Sequence, residues 1–255
     1  MAIKHSTRYL VVIPTYNEAK NILRIIPEVL RQDDRIDILV VDDNSPDGTG
    51  QILDEMAARD ARLRVLHRAG KLGIGSAHQH AIQWAYDQGY PLVVSMDCDL
   101  THPPEHIPEF IQSAADSEVV VGSRFMRGES LAEWNLLRKF LTHLGHFLTR
   151  YVLRVPYDAT GAFRSYRLDR IHRDVFRLVE SPGYAFFFES LYVLCLSGVR
   201  VREIPIELPI RTHGHSKMKL TDVFTSLQRL LQLYRRSFYL KSELSKLNRP
   251  ELRNG

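Results

Sequence analysis

The first 125 residues alternate short apolar runs, rich in β-branched side chains, with amphipathic stretches of helical periodicity. The apolar runs are Tyr9–Ile13, Ile36–Val41, Leu63–Leu66, Leu92–Met96 and Val119–Val121. They are apolar at successive positions, as parallel strands buried on both faces are. The stretches near residues 18–31, 48–60, 75–88 and 105–115 predict helices between them. This alternation predicts an α/β fold with a mostly parallel sheet flanked by helices.

Polar or glycine-rich segments follow the first four apolar runs along the chain. In open α/β sheets, ligands bind at the carboxyl ends of the strands. We therefore expect these segments to converge on one edge of the sheet. They are residues 14–18, 42–48, 71–75 and 97–99.

The sharpest local signal is Asp97-Cys98-Asp99, which directly follows the fourth apolar run. Hard carboxylate oxygens suit Mg²⁺ or Mn²⁺, and Mg²⁺ is often held by one or two carboxylates together with substrate phosphates. A D-x-D pattern alone also occurs in solvated turns and helix caps. Its position after a buried strand favours a metal site that neutralises a diphosphate.

Two other segments at this edge suit a nucleotide but also suit ordinary turns. Asp42 or Asp43 can accept hydrogen bonds from a base or a ribose, while residues 44–48 are turn formers that can cap the next helix. The segment from Lys71 has a Gly-x-Gly pattern without the third glycine of a dinucleotide fingerprint. It predicts a tight turn that brings Lys71 near an anion, or a turn with no ligand role.

A second group of candidate residues follows the fifth apolar run. Arg124 ends that run, and Arg138 and Thr142 share one face of a helix predicted over residues 134–155. Arginines placed in this way can clamp a phosphate through two parallel hydrogen bonds. The same arginines can equally form ion pairs with the abundant carboxylates.

The second half of the chain is less regular. Beside the helix over 134–155, it predicts a strand over 161–166, a helix over 184–198, one or two strands over 200–210 and a last helix over 219–238. The first and last of these helices are amphipathic, so each can lie on a membrane surface or pack on the sheet. The residues after 241 are polar and are expected to form a flexible tail.

Charge and composition narrow the partner classes. The net charge is +4, but residues 211–255 carry ten Lys/Arg and three Asp/Glu, which leaves the preceding residues slightly acidic. A basic end favours an anionic partner such as a phosphate, a membrane surface or a nucleic acid.

The two cysteines exclude a disulfide framework and favour a reducing compartment. No run has the ~18 apolar residues that span a bilayer, and no signal peptide is expected.

These motifs, in this order, resemble the family-2 glycosyltransferases with the GT-A (Rossmann-like) fold, and within them the dolichyl-phosphate or polyprenyl-phosphate mannosyltransferases. The resemblance covers residues 9 to about 220. The segments that carry it are 13–18, 41–49, 71–77, 96–105, 122–125, Trp134 with Arg138, 158–164 and 211–217.

The resemblance implies an inverting enzyme that transfers mannose from GDP-mannose to a polyprenyl (dolichyl) phosphate and gives a β-linked lipid product. The implied nucleotide-sugar ligands are Pro14, Tyr16, Glu18, Val41, Asp43, Lys71, Asp97, Cys98, Asp99, Arg211 and Lys217. The implied ligands of the lipid phosphate are Arg124, Arg138 and Thr142, and the implied Mg²⁺ or Mn²⁺ ligands are Asp97, Asp99 and Thr101. Asp97, Asp99, Arg124 and Arg138 are the implied catalytic residues.

Three positions depart from the family pattern. Cys98 replaces the usual alanine, Thr101 stands where some relatives have a stronger metal ligand, and Phe187 stands where a polar residue is usual. The first keeps a small side chain. The second leaves open whether a third protein ligand exists, and the third leaves open the shape of the sugar pocket.

The expected organisation is one GT-A domain. Residues 1–125 form its nucleotide-sugar half, residues 126–240 its acceptor and membrane-facing half, with C-terminal amphipathic helices for the membrane surface, and 241–255 the tail. The expected location is the cytoplasmic face of a membrane, with or without a membrane-anchored partner protein. The alternatives are a transferase that uses a UDP-sugar such as UDP-glucose, and a non-catalytic protein that binds nucleotide sugar or lipid. A nucleic-acid partner is not expected, because neither a reading helix nor an aromatic stacking platform is present.

Overall fold

The computed structural model describes residues 7–126, 136–209 and 220–247. Within these ranges the chain forms a central sheet with helices on both faces. The strands are β1 (Tyr9–Thr15), β2 (Ile36–Asp42), β3 (Leu63–His67), β4 (Leu92–Ser95), β5 (Val119–Ser123), β6 (Arg164–Arg167) and β7 (Val201–Pro205). The helices are α1 (Ala19–Leu30), α2 (Thr49–Ala57), α3 (Ile74–Asp87), α4 (Ile107–Ser113, after a 3-10 turn at Pro104–His106), α5 (Leu136–Tyr151), α6 (Arg173–Arg177), α7 (Phe186–Leu196) and α8 (Leu220–Leu247).

The strand order is β3-β2-β1-β4-β6-β5-β7, and one strand, β6, runs against its neighbours. The pairs β1–β2, β2–β3, β1–β4 and β5–β7 are parallel. Strand β6 is antiparallel to both β4 and β5. Because β5 is reversed relative to β6, it points the same way as β4. The carboxyl ends of β1, β2, β4 and β5 therefore reach the same edge, and the mostly parallel α/β sheet expected from the sequence is confirmed.

The core consists of two apolar layers, one on each face of the sheet. In β1, Leu10 and Val12 face the layer formed with α3, α6, α7 and α8. Val11 and Ile13 face the layer formed with α1, α2 and α4. Both faces of the central strands are thus covered, which explains why their sequences are apolar at successive positions.

Strand β3 differs from the expectation that all five runs are buried on both faces. It lies at one edge of the sheet, and only Leu63 within it is buried.

Among the described residues, no helix is both long and apolar enough to cross a membrane.

Two helix ends also differ from the sequence expectation. Helix α5 ends at Tyr151 rather than 155, because Arg154 adopts a left-handed φ of 58° and the N–H of Val155 donates back to the carbonyl of Thr149 at 3.1 Å. Helix α8 continues to Leu247, well beyond 238, because Leu240 and Leu244 are buried. The helix thus includes the first residues of the expected tail, and residues 248–255 lie outside the described ranges.

His78 is a buried histidine in α3 that stacks on Phe186 at 5.4 Å between ring centroids. Its Nε2 has no hydrogen-bond partner among the described residues. Burial, together with the positive charges of Arg164 and Arg68, lowers the pKa of His78 to about 3. The folded protein therefore holds this imidazole neutral at every ordinary pH.

We predict that His78 makes the folded state less stable in mild acid. The unfolded chain binds a proton here below its ordinary pKa of 6.5, whereas the folded chain does not until about 3, so protonation favours unfolding across that window. Between pH 7 and pH 5 this residue should lower the free energy of unfolding by about 2 kcal/mol. Urea denaturation at both pH values should show that His78→Leu removes this difference. Equal pH dependence in the variant and the wild type would contradict the prediction.

Candidate functional site

A cavity of about 470 Å³ opens at the carboxyl edge of the sheet, where the polar segments converge as expected. Its lining contains most of the side chains that the resemblance assigned to the nucleotide sugar. These are Pro14, Tyr16, Glu18, Asp43, Lys71, Asp97, Cys98 and Asp99.

Three other nucleotide ligands were expected, and one of them is described by the structure. Val41 lies inside β2, with its side chain fully buried in the core. Arg211 and Lys217 lie outside the described residues, so the structure neither places them at the cavity nor separates them from it.

The two aspartates that follow β4 are held in place by the turn between them and α4. The backbone N–H and the hydroxyl of Thr101 both donate to Asp99 Oδ1, at 3.1 and 2.5 Å. The backbone N–H of Asp97 donates to His102 Nδ1 at 2.8 Å, which assigns the imidazole proton to Nε2, 4.0 Å from Asp97 Oδ2. Thr101 therefore orients Asp99, and its hydroxyl contacts that carboxylate.

This pair of carboxylates fits a divalent cation. Asp97 and Asp99 both line the cavity, and oxygen ligands of this type are the ones that Mg²⁺ and Mn²⁺ prefer. Within the described part of the chain, no group of three or more His, Cys, Asp or Glu side chains could hold a metal. A cation bound by these two carboxylates can take further ligands from substrate phosphate and water. Cys98, between the aspartates, is buried in the core. A buried position of this kind favours a small side chain.

Asp43 is paired with a buried arginine that the sequence reasoning missed. Arg68 Nε donates to Asp43 Oδ1 at 2.5 Å, and the side chains are only 2% and 8% exposed. The same guanidinium donates to Ser76 Oγ at 2.7 Å and to the carbonyl of Gly73 at 3.1 Å. Arg68 thus joins the carboxylate that lines the cavity to the loop that carries Lys71.

The structure shows which residues of the two turns at this edge stabilise a turn and which reach the cavity. Asp42 is buried and accepts hydrogen bonds from the Ser45 hydroxyl and backbone N–H, so it stabilises the turn, whereas Asp43 faces the cavity. The ammonium of Lys71 lies 4.5 Å from the ring centroid of Tyr16, and both line the cavity. The Lys71 loop therefore reaches the candidate site.

The glycines of that loop serve close packing between backbones. Gly73 has a left-handed φ of 99°, and a Cβ there would lie 2.4 Å from the carbonyl oxygen of Pro182. A Cβ on Gly75 would lie 2.5 Å from the carbonyl oxygen of Ser181. The loop is therefore docked against residues 181–183, and Gly183 with the neighbouring Tyr184 forms a part of the cavity wall that sequence reasoning did not find.

Arg124 lies at the same edge, just after β5, and forms a buried ion pair. Its Nε and Nη2 donate to the two carboxylate oxygens of Asp158, at 2.8 and 2.6 Å, and Nη2 also donates to Thr160 at 2.5 Å. Burial alone would raise the pKa of Asp158, but the charge and hydrogen bonds of Arg124 outweigh it and hold that pKa below its ordinary value. The structure thus shows the ion pair, and the binding of a phosphate by Arg124 stays a prediction.

The other expected ligands of the lipid phosphate lie on α5, against which Phe125, the residue after Arg124, packs through His146 at 4.0 Å between ring centroids. Thr142 lies half-buried on α5. The backbone of Arg138 lies four residues earlier on the same helix, and its side chain is outside the described part of the structure. The hydrogen bonds that orient the Arg124 side chain in the described structure come from Asp158 and Thr160.

Comparison with solved structures identifies the fold. Glucosyl-3-phosphoglycerate synthase from Mycobacterium tuberculosis, solved with Mn²⁺, UDP and its product, superposes with a TM-score of 0.58 at 19% identity, over 92% of this chain and 80% of the other. A mannosyltransferase from Pyrobaculum calidifontis, solved with GDP-Man and Mn²⁺, superposes with a TM-score of 0.51 at 16% identity, over 94% and 74%. At these identities the likeness shows a shared fold, which confirms the expected GT-A architecture.

Comparison of sequences shows the family. The chain is 35% identical to the undecaprenyl-phosphate mannosyltransferase of Micrococcus luteus over 212 residues, covering 83% of this chain and 87% of the relative. It is 34% identical to the polyprenol monophosphomannose synthase of Mycolicibacterium smegmatis over 224 residues, covering 87% and 84%. The family model for glycosyl transferase family 2 matches residues 10–175, which contain β1 apart from Tyr9, all of β2 to β6 and both aspartates that line the cavity. The chain belongs to glycosyltransferase family 2.

Proposed function

We propose that this protein transfers mannose from GDP-mannose to a polyprenyl phosphate, with inversion at the anomeric carbon. The observation that carries the proposal is the convergence of Asp97, Asp99, Asp43 and Lys71 on one cavity. That set offers groups for a cation, a nucleoside and a diphosphate together. Support for the lipid acceptor comes from the two relatives above, an undecaprenyl-phosphate mannosyltransferase and a polyprenol monophosphomannose synthase.

In this proposal, the donor nucleotide lies along the edge formed by β1, β2 and β4. Asp43, held by Arg68, accepts hydrogen bonds from the nucleoside, and Lys71 lies over Tyr16 near the diphosphate. Asp97 and Asp99 hold a divalent cation, which would stabilise the charge that develops on the departing diphosphate. The proposed further ligands of the same diphosphate are Arg211 and Lys217, which lie outside the described residues.

The acceptor needs no strong general base, because its phosphate is already an anion. Arg124, with its guanidinium oriented by Asp158 and Thr160, lies two strands away from the end of β4 and binds this phosphate with Arg138 and Thr142. Positioning and charge stabilisation then supply most of the rate acceleration.

We further propose that the protein works on the cytoplasmic face of a membrane, where its lipid acceptor is anchored. Helices α5 and α8 expose apolar side chains at helical spacing. They are Phe140, Leu144, Phe147 and Tyr151 on α5, and Phe224, Leu227, Leu231, Tyr234 and Phe238 on α8. Aromatic and leucine side chains on one face of a helix can enter the interface of a bilayer.

A donor with uracil is the second candidate, because a structural neighbour of the same fold was solved with UDP. A non-catalytic protein that binds nucleotide sugar is the candidate from another class. Incubation with Mg²⁺ or Mn²⁺, polyprenyl phosphate and labelled GDP-mannose or UDP-glucose separates the three. Lipid product from GDP-mannose supports the proposal, product only from UDP-glucose supports the second candidate, and no product with nucleotide binding supports the third.

Asp99→Asn should lower turnover by about 100-fold, because it weakens the cation site and with it the stabilisation of the leaving diphosphate. The measurement is kcat with GDP-mannose and polyprenyl phosphate across a Mn²⁺ titration. Asp54→Asn, which changes a carboxylate that is 62% exposed on α2, is the matched control and should keep wild-type turnover. Wild-type turnover and metal dependence in Asp99→Asn would overturn the assigned role.

Asp158→Asn should raise the KM for polyprenyl phosphate more than tenfold and leave the KM for the donor within twofold. The amide keeps the shape of the carboxylate but releases Arg124 from its ion pair, so the guanidinium loses its orientation. Loss of a partner from a buried pair costs about 3–5 kcal/mol, so thermal melting must accompany the kinetics. Thr160→Val, which removes one hydrogen bond, should give a smaller effect in the same direction. A change in the donor KM alone would refute this role.

Phe224→Glu and Phe238→Glu should each reduce binding to vesicles of phosphatidylcholine and phosphatidylglycerol, measured by flotation, by severalfold. A charge at these positions opposes insertion of the apolar face into the interface. Leu23→Glu is the matched control, because Leu23 is 55% exposed on α1, in the layer on the opposite face of the sheet. Equal loss in all three variants would contradict a specific membrane face.

A further inference from the structure

The first turn of α8 forms part of the cavity, although the rest of the helix lies against α7. Thr221 and Asp222 line the cavity beside Gly183 and Tyr184. The same helix carries Arg229 seven residues later, about 10 Å along its axis. Any contact that fixes Arg229 therefore also fixes this part of the cavity wall.

Arg229 is bound to a fully buried carboxylate at the start of α7. Its Nη2 and Nε donate to Glu189 Oε1 and Oε2, at 2.6 and 3.1 Å. The Glu189 side chain is 0% exposed and that of Arg229 is 14% exposed. A charge-assisted pair of this geometry is far more specific than an ion pair in solvent.

The same carboxylate also fixes the segment that leads to the other side of the cavity. The backbone N–H groups of Glu180 and Ser181 donate to Glu189 at 2.8 and 3.0 Å, and the Ser181 hydroxyl donates to it as well. Residues Gly183 and Tyr184, which follow directly, line the cavity. The Glu189 carboxylate thus accepts hydrogen bonds from α8 and from residues 180–184, which we call the wall segment.

The wall segment is in turn fixed to the loop that carries Lys71. The N–H of Ser76 donates to the carbonyl of Pro182 at 3.0 Å, and Gly73 and Gly75 lack the Cβ that would prevent this approach. Three parts of the cavity, namely the Lys71 loop, residues 183–184 and the first turn of α8, are therefore connected through Glu189 and its neighbours.

We propose that Glu189 and Arg229 are positioning residues for the donor half of the site. Together they hold residues 180–184 and α8 at the separation that a nucleoside diphosphate sugar requires. This inference rests on the proposed function for the identity of the ligand, but the connection itself does not depend on it. It also gives α8 a second task, because the helix that presents apolar side chains outward is the one whose first turn closes the cavity.

The test compares Arg229→Met and Arg229→Lys with Arg236→Met as the matched control. Arg236 lies on the same helix and pairs with Glu180 at 2.8 Å, but both side chains are at least 40% exposed, so this pair contributes little. Arg229→Met should weaken binding of GDP with Mn²⁺, measured by calorimetry, and raise the donor KM, both at least tenfold. The KM for polyprenyl phosphate should stay within twofold, and Arg229→Lys should restore part of the affinity.

Amide hydrogen exchange tests the connection without any ligand. Peptides that cover residues 180–184 should exchange at least tenfold faster in Arg229→Met and at the wild-type rate in Arg236→Met. Unchanged exchange, or wild-type GDP affinity in Arg229→Met, would overturn the inference, and so would an equal rise in donor and acceptor KM, which marks a merely structural role. If wild-type protein binds neither GDP nor UDP, the proposed function fails, while the exchange result still decides the connection.

Discussion

The covering of both faces of the central strands is the constraint on which the site depends. In β1, alternate residues enter two separate apolar layers, so neither face of the strand can present a polar group to a ligand. Polar chemistry is then confined to the ends of the strands, where the backbone leaves the sheet. The acidic side chains follow β2 and β4, and the arginine follows β5, all at the same edge. A cavity at this edge is the place where the buried sheet and an aqueous substrate can meet.

Three ion pairs near the cavity share a second property, since both partners of each pair lie largely away from solvent. Asp43 is held by Arg68, Arg124 by Asp158, and the wall segment by Glu189 with Arg229. Burying such pairs gives little net stability. It does fix their geometry before a ligand arrives, so that little reorganisation remains for the reaction itself. The same logic explains why the turn at Thr101 orients Asp99 through two hydrogen bonds.

The sequence predicted the elements and the place of Asp97 and Asp99 at the carboxyl edge of the sheet, because periodicity and the position after a strand are local signals. It did not predict the partners, because those depend on strand order and packing. Arg68 lies 25 residues from Asp43, Asp158 lies 34 from Arg124, and Arg229 lies 40 from Glu189. The reversal of β6 was equally invisible, since a strand of four residues carries no mark of its direction. The length of α8 was underestimated because the residues after 241 are mostly polar. Only the structure shows that Leu240 and Leu244 are buried.

The reversed strand β6 sets a length scale for the chemistry. It separates β4 from β5, so the ends that carry Asp99 and Arg124 are two strand spacings apart, about 10 Å. In the proposed reaction, this interval separates the departing diphosphate from the incoming phosphate, whose oxygens lie on opposite sides of the anomeric carbon. The sheet thus fixes this distance, because the spacing between hydrogen-bonded strands is nearly independent of sequence. An acceptor whose reacting atom lay one strand nearer or farther would miss the anomeric carbon by about 5 Å.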